Sequence, residues 1–501
     1  MTLFRSAGPL AGLVAVAAVL RFQGLDRQSF WSDESITALL VRLDAAELLD
    51  GIARTESAPP LYYVLAWLWG KVFGTGEVGL RSLSAVFGVL TVPVAYGAAA
   101  TLLSRRSALA AAALVAVNPL LIWYSQEARA YALLVLLCGI SFWAFGAALS
   151  NPGRTTFGAW WLASSLALST HYFAVFVVAA EDGWLLAVHR RSSARFAVAG
   201  VGATALALLP LALHQRAGGQ VEYIADSSLS SRVVTLGKQL LAGLDAPHDQ
   251  VAAALLALFV GVAMVLLLVS RNEALQRGAL VAGAVGLIAI ALSMVFVPLG
   301  LDYVNTQNSL GVVVPLITAV AAGLAVARPR VVGSLVLGAA CILSSALVLA
   351  VAHDKRYHRA DWRGALRTAL ADPSSGGRLI VIGPDYEGWF ARAPALVYAP
   401  EAVSVDHVDR TRKRFRALVR RSDDDPEPTL LRVGEIVFLR MGSPIDRTET
   451  VRLLGSRGQL VAATRGQGFE VLRYRLIGAG GNLPGAPSSL GGDPVATLFV
   501  P

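Results

Sequence analysis

Among the stretches of this 501-residue chain that contain no Asp, Glu, Lys or Arg, ten stand out as apolar runs mostly long enough to cross a bilayer. They are 6–20, 82–104, 107–126, 130–153, 155–180, 196–215, 251–270, 278–301, 303–327 and 331–353. A membrane's hydrocarbon core is about 30 Å thick and takes roughly 20 apolar residues as helix. Backbone groups in lipid must be satisfied internally, so these runs direct the chain into a helical bundle. Charged residues make up 15% of the chain, against about 25% in ordinary soluble domains. That excludes a disordered chain and a large soluble enzyme. The net charge of +9 comes from arginines grouped between the apolar runs. This is a topogenic pattern, so no nucleic-acid partner is expected. Cys138 and Cys341 both lie in apolar runs, with no disulfide framework and no CxxC motif.

The stretch from Thr155 to His189 is interrupted only by His171, Glu181 and Asp182. As one helix it would be about 50 Å long, too long for one crossing. Hydropathy allows two short spans meeting at His171-Tyr172, or one span ending near Glu181. With a cytoplasmic N-terminus and two spans, Arg105-Arg106, Arg154, Arg190-Arg191, Arg271 and Arg328 all face the cytoplasm. The positive-inside rule therefore selects two spans and about eleven transmembrane helices in the cytoplasmic membrane. The C-terminal segment is then extracytoplasmic. Glu181 and Asp182 fall inside the sixth helix, where carboxylates usually face a protein interior or a wet cavity. Arg21, ending the first run, is expected to snorkel to the interface.

The first outer loop, 22–80, has its own pattern. Ser32-Asp33-Glu34 reads as a helix start. Ile36, Leu39, Leu40, Leu43, Leu48, Leu49 and Ile52 follow at helical spacing with charges between them, predicting an amphipathic surface helix. Pro59-Pro60-Leu61-Tyr62-Tyr63 and the apolar residues after it predict a second helix lying in the interface, since a crossing here would move Arg105-Arg106 outside. The tyrosines and tryptophans near 62–69 and 123–131 read as an interfacial belt.

The transmembrane domain is expected over 1–352. A small extracytoplasmic α/β domain follows over 353–477, with strands at 378–383, 435–440, 459–463 and 469–474 and a helix at 361–371. Residues 410–426 read as an Arg/Asp-rich loop, and 478–501 as a flexible Gly/Pro-rich tail.

On the outer side this topology collects Asp33, Glu34, Arg81, Glu127, Arg129, Tyr131 and His171. Each has a bland alternative. The acids cap a helix, Arg81 anchors at the interface, Glu127 and Arg129 form a solvated turn, and His171 is a satisfied polar residue. Co-location on one face is what points to acid/base chemistry on a lipid-borne phosphate substrate.

The motifs Phe30-Trp31-Ser32-Asp33-Glu34, Pro59-Pro60-Leu61-Tyr62-Tyr63, Leu80-Arg81-Ser82, Asn118-Pro119, Ser125-Gln126-Glu127-Ala128-Arg129-Ala130-Tyr131 and Thr170-His171-Tyr172 occur in this order. The series resembles GT-C membrane glycosyltransferases, and within them the protein mannosyltransferase and aminoarabinose transferase superfamily. The resemblance is dense over 7–190, and Asp361-Trp362-Arg363 adds a feature seen after the last span of bacterial members. It implies a GT-C-like multi-pass fold with membrane-parallel helices in the first outer loop. It also implies inverting transfer of a sugar from a polyprenyl-phosphate donor to a lipid, glycan or protein acceptor. Asp33 would be the base, with Glu34 assisting. Arg81 and Arg129 would meet the donor phosphate, with Glu127, Tyr131, His171, Tyr62 and Tyr63 in support. A divalent cation, Mg or Mn, is a candidate cofactor, and the sequence names no ligand set for it.

Two departures stand out. Ala58 occupies a position where many relatives carry His. The late outer loop reads Asn305-Thr306-Gln307-Asn308-Ser309, where many bacterial relatives carry Arg. Arg129, Arg216, Arg232 and Lys238 are the cations that could compensate. A lipid or sugar flippase, or a non-catalytic scaffold of envelope assembly, are the competing readings. The first would carry an internal repeat, and none is visible. The second would tolerate loss of Asp33 and Glu34.

Overall fold

The computed structural model describes residues 4–189, 192–217, 222–326, 330–371, 377–382, 388–399, 403–404, 433–441, 458–476 and 496–500. Its helices are α1 (Phe4–Phe22), α2 (Ser32–Leu40), α3 (Ala45–Thr55), α4 (Leu61–Phe73), α5 (Glu77–Leu102), α6 (Arg105–Val117), α7 (Pro119–Ser125), α8 (Tyr131–Ser150), α9 (Arg154–Thr170), α10 (Ala174–Val188), α11 (Ser192–Arg216), α12 (Leu229–Ala242), α13 (Asp249–Val269), α14 (Glu273–Val295), α15 (Val313–Leu324), α16 (Arg330–His353), α17 (Trp362–Leu370) and α18 (Gly388–Tyr398). The strands are β1 (Gly377–Ile382), β2 (Val403–Ser404), β3 (Val433–Met441), β4 (Gly458–Gly466), β5 (Phe469–Leu476) and β6 (Ala496–Val500). The chain divides into a helical unit, 1–25, 56–74 and 78–357, and a mixed unit, 26–55, 75–77 and 358–501.

In the helical unit, seven described helices are long and apolar enough to cross a membrane, or eight if α6 and α7 form one bent span. The predicted division near His171 is present, with α9 ending at Thr170 and α10 starting at Ala174. Helix α4 has 13 residues, about 20 Å, too short to span alone. Large apolar side chains stay exposed along α11, α13, α14 and α16, including Phe196, Leu206, Leu268, Leu280 and Ile342. Apolar surface of this extent is what a helix turns toward lipid.

The 56° bend between α6 and α7 follows from Pro119. Proline has no N–H, so the carbonyl four residues back, on Val115, loses its helical donor. Arg21 supplies one instead. Its Nη2 donates to the Val115 carbonyl at 2.9 Å, and its Nη1 to the Ala116 carbonyl at 2.8 Å. Arg21 is fully buried, so the expected snorkelling is corrected: lipid offers no acceptor, and the broken helix offers two. Beyond the bend, Gln126 Nε2 donates to the carbonyls of Leu20, Arg21 and Gln23 at 3.1–3.3 Å, closing the end of α1. Arg21 and Gln126 thus tie the ends of α1, α6 and α7 together.

Glu181 is fully buried in α10. Its Oε2 accepts from Ser141 Oγ of α8 at 2.6 Å and Trp160 Nε1 of α9 at 2.8 Å. The carboxyl therefore joins three helices. Close approach elsewhere depends on small residues: a Cβ on Gly323 of α15 would sit 1.9 Å from the Ala263 carbonyl of α13.

The mixed unit holds a sheet in the order β2-β6-β1-β3-β5-β4. β1 and β3 run parallel, and the remaining pairs are antiparallel. Trp362, Leu366, Ile380, Val437, Leu439 and Val471 form its core. The four expected strands and the helix after Asp361 are present. Asp361 Oδ1 caps that helix at Gly364 N, 2.9 Å. Three expectations change. Residues 496–500 of the expected tail pair with β1, while 477–495 and the 410–426 loop lie outside the described residues. The surface helix is two helices, because Asp44 Oδ1 accepts from the N–H of Ala46 and Glu47 and restarts the chain as α3. Residues 26–55 also group with the C-terminal segment rather than with the helical unit.

Replacing Arg21 by Leu strands the Val115 and Ala116 carbonyls, each worth about 1–3 kcal/mol if left unsatisfied. The R21L variant should melt well below wild type in detergent, and R21K should recover part of the loss. An unchanged melting temperature for R21L would contradict this role.

Candidate active site

The polar residues of the helical unit converge around the loop before α4, the 126–130 loop and the α9–α10 turn. Arg129 Nη1 donates to Glu56 Oε1 at 2.8 Å, with both side chains buried. Tyr63 OH donates to the other oxygen, Glu56 Oε2, at 2.6 Å. The guanidinium carbon of Arg129 also lies 5.8 Å from the Tyr63 ring centroid. Tyr62 OH is 3.2 Å from Ser84 Oγ, which donates to the Arg129 carbonyl at 3.5 Å. Tyr62, Tyr63 and Tyr124 are each at most 1% exposed. Tyr62 and Tyr63 belong to this network and Tyr124 packs edge-on against Tyr131, with ring centroids 4.8 Å apart, which corrects the interfacial-belt reading for all three.

Arg81 is buried, and its Nη1 donates to the Leu25 carbonyl at 2.7 Å. Glu127 Oε1 accepts from Trp123 Nε1 at 2.8 Å. His171 is buried beside Tyr131, with ring centroids 6.0 Å apart. Its Nδ1 accepts from the Phe173 N–H at 3.4 Å, which leaves the ring proton to Nε2. Burial, with Arg129 nearby, lowers the His171 pKa to about 4.

Asp33 and Glu34 sit in the first turn of α2, in the mixed unit. Their environments differ. Glu34 is 1% exposed, and its Oε2 accepts from the Trp31 N–H at 3.4 Å, capping the helix start. Asp33 is half-buried. Successive helical residues point about 100° apart, so the pair divides into a buried capping acid and a half-buried one.

Residues 57–214 match the family model for dolichyl-phosphate-mannose-protein mannosyltransferase. No curated protein matches the sequence. The fold is similar to the crystal structure of ArnT from Cupriavidus metallidurans in the apo state. That match has a TM-score of 0.60 at 15% identity, covering 98% of this chain and 100% of that one. ArnT bound to undecaprenyl phosphate matches with a TM-score of 0.56 at 14% identity, covering 97% and 100%. The chain has the GT-C fold. The match to the mannosyltransferase model and the ArnT-like architecture together bear out the resemblance to the protein mannosyltransferase and aminoarabinose transferase superfamily.

Against that GT-C background the two departures acquire local roles. The Ala58 carbonyl accepts from Gln215 Nε2 at 3.2 Å, and Gln215 Oε1 accepts from Tyr172 OH at 2.8 Å. Ala58 thus fixes the loop through its backbone. The late loop spends its polar groups locally, with Asn305 Oδ1 accepting from Asn308 N, and Thr306 Oγ1 bonding Gln239 Oε1. Arg232 is bidentate to Asp302, whose carboxyl it holds below its ordinary range, chiefly through those hydrogen bonds. Lys238 pairs with Asp249. Arg216 is exposed, with Nη2 3.4 Å from the Gly300 carbonyl.

Glu56 went unnoticed in the sequence because its partners, Tyr63 and Arg129, are 7 and 73 residues away. Its place just before the Pro-Pro pair was the available signal.

Removing one partner of a buried ion pair costs about 3–5 kcal/mol. E56Q should therefore lower thermal stability, and adding R129M should recover much of it; additive losses would contradict the pairing. His171 stays neutral in the folded protein down to about pH 4, while the unfolded chain protonates near 6.5. The unfolded state binds more protons between these values, so stability falls as pH drops from 6.5 toward 4. H171Q should flatten that part of the pH–melting curve, and an unaltered slope would contradict a buried neutral imidazole.

Proposed function

We propose that this protein transfers a sugar from a polyprenyl-phosphate donor to an acceptor on the outer face of the cytoplasmic membrane, with inversion. The observation carrying this reading is the GT-C architecture over nearly the whole chain, joined to the division of labour at α2, where Glu34 caps the helix and Asp33 stands half-exposed. ArnT, whose fold this chain shares, has been crystallised with undecaprenyl phosphate. A lipid phosphate is the donor leaving group we assign here.

In this account Asp33 takes the acceptor's proton as its oxygen attacks the anomeric carbon. The bond from that carbon to the phosphate oxygen breaks, and polyprenyl phosphate leaves. The leaving group needs positive charge more than it needs an acid. Arg81 and Arg129 position it. Glu56, Tyr63, Tyr62 and Ser84 hold Arg129, while Glu127, Tyr131 and His171 shape the surrounding loops. Among the described residues no three His, Cys, Asp or Glu side chains gather where they could hold a metal, so no step is routed through a divalent ion. We place the N-terminus in the cytoplasm, count eleven spans, and set the mixed unit outside, on the arginine distribution. The sugar is a hexose or pentose carried on the lipid. Glu181, the feature that most favours a transporter, has a structural use in joining α8, α9 and α10.

Purified protein in liposomes, given labelled polyprenyl-phosphate sugars and a membrane extract, should transfer label to an acceptor. D33N should slow transfer by about 10²–10⁴, the usual contribution of a general base. Undiminished transfer by D33N would remove Asp33 as the base.

A further inference from the structure

We infer that Tyr398 is a positioning residue for the base: its hydroxyl fixes the backbone that leads into Asp33. This rests on the transferase reading above, in which Asp33 takes the acceptor's proton. All the residues involved lie in the mixed unit. The Phe30 N–H donates to Tyr398 OH at 2.6 Å, and Tyr398 OH donates to Glu77 Oε1 at 2.7 Å. Phe30 is buried and lies three residues before Asp33.

The core of the mixed unit sets the place of the tyrosine ring. Helix α18 ends at Tyr398. Ala395 and Ala399, on either side of it in the chain, are buried with Trp362, Leu366 and Ile380, and Tyr398 packs against that cluster. A phenol has one proton to donate. Glu77 takes it, so the oxygen lone pairs are left to face the Phe30 N–H. Glu77 is held in turn by Arg363, whose Nη1 lies 3.2 Å from the same Oε1. The Nη2 of Arg363 donates to the Asp26 carbonyl at 2.9 Å. A chain of hydrogen bonds thus runs from Asp26 through Arg363, Glu77 and Tyr398 to Phe30, and members of such a chain polarise one another.

The neighbouring residues are anchored as well. Gln28 Oε1 accepts from the Arg359 N–H at 2.9 Å, and Ser29 Oγ from the Trp362 N–H at 2.9 Å. The Trp31 N–H is taken by Glu34 Oε2. Helix α2 begins at the next residue, Ser32, and carries Asp33 in its first turn. The direction of the Asp33 carboxyl is therefore inherited from a lead-in held on four consecutive residues. A general base has to stand within hydrogen-bond reach of the proton it abstracts, and a misplacement of about 1 Å can cost about 10²-fold in rate. Tyr398→Phe removes one oxygen and keeps the ring in the core. It leaves the Phe30 N–H without that acceptor and Glu77 without that donor.

The test combines transfer kinetics with amide hydrogen exchange of the full-length protein in detergent. Y398F should lower kcat by about tenfold or more, with the donor KM nearly unchanged, and should speed exchange at the Phe30 amide. If Tyr398 acts through Asp33, adding Y398F to D33N should slow transfer no further. Melting temperatures show whether each variant is folded. Wild-type kcat in folded Y398F, or an equal loss when Y398F is added to D33N, would overturn the inference and leave the transferase reading intact. Should wild type transfer nothing from any donor, the transferase reading fails, and exchange still decides the contact. Faster exchange at Phe30 in Y398F would support the hold of Tyr398 on the Asp33 segment, and unchanged exchange would overturn it.

Discussion

Lipid supplies no hydrogen-bond partner, and every break in a membrane helix must therefore be repaired from inside the protein. Pro119 makes such a break, and Arg21 repairs it by donating to the two carbonyls released at the end of α6. The bend redirects the chain into α7 and the 126–130 loop. That loop carries Gln126 back to the end of α1 and Arg129 to Glu56. The candidate site of the helical unit is therefore a consequence of a helix interruption and its repair.

The buried charges follow the same rule. Glu56 and Arg129 are tolerated because they meet each other, with Tyr63 occupying the second carboxylate oxygen. Glu181 is met by a serine and a tryptophan on two neighbouring helices. Buried pairs of this kind seldom add net stability, but breaking them is costly, so they favour one packing over its alternatives. Such fixed geometry is what a reaction relying on preorganised charge requires.

Features governed by local pattern were legible in the sequence. Run length and arginine placement located the α9–α10 division, and alternating apolar residues located β3, β4 and β5. Features set by distant partners were not. Arg21 reads as a snorkelling residue until Val115 and Ala116 are seen beside it. Asp44 interrupts an apolar spacing that otherwise reads as one helix. Strand β6 lies within a Gly/Pro-rich composition, and only its pairing with β1 reveals it. Glu56 was missed because its partner Arg129 lies in another segment, whereas Asp33 was found because it stands in a contiguous motif. The motif Asp361-Trp362-Arg363, visible only as a resemblance, resolves into a helix cap, a core side chain and an ion pair with Glu77.

The central claim is that the chain breaks a sugar–phosphate bond on a lipid carrier. The most direct measurement is the yield of free polyprenyl phosphate when the protein in liposomes is given a doubly labelled polyprenyl-phosphate sugar and a membrane extract as acceptor. One polyprenyl phosphate should be released for each sugar that appears on the acceptor. Intact donor at the end of the reaction, or donor merely moved between leaflets with its sugar still attached, would contradict it.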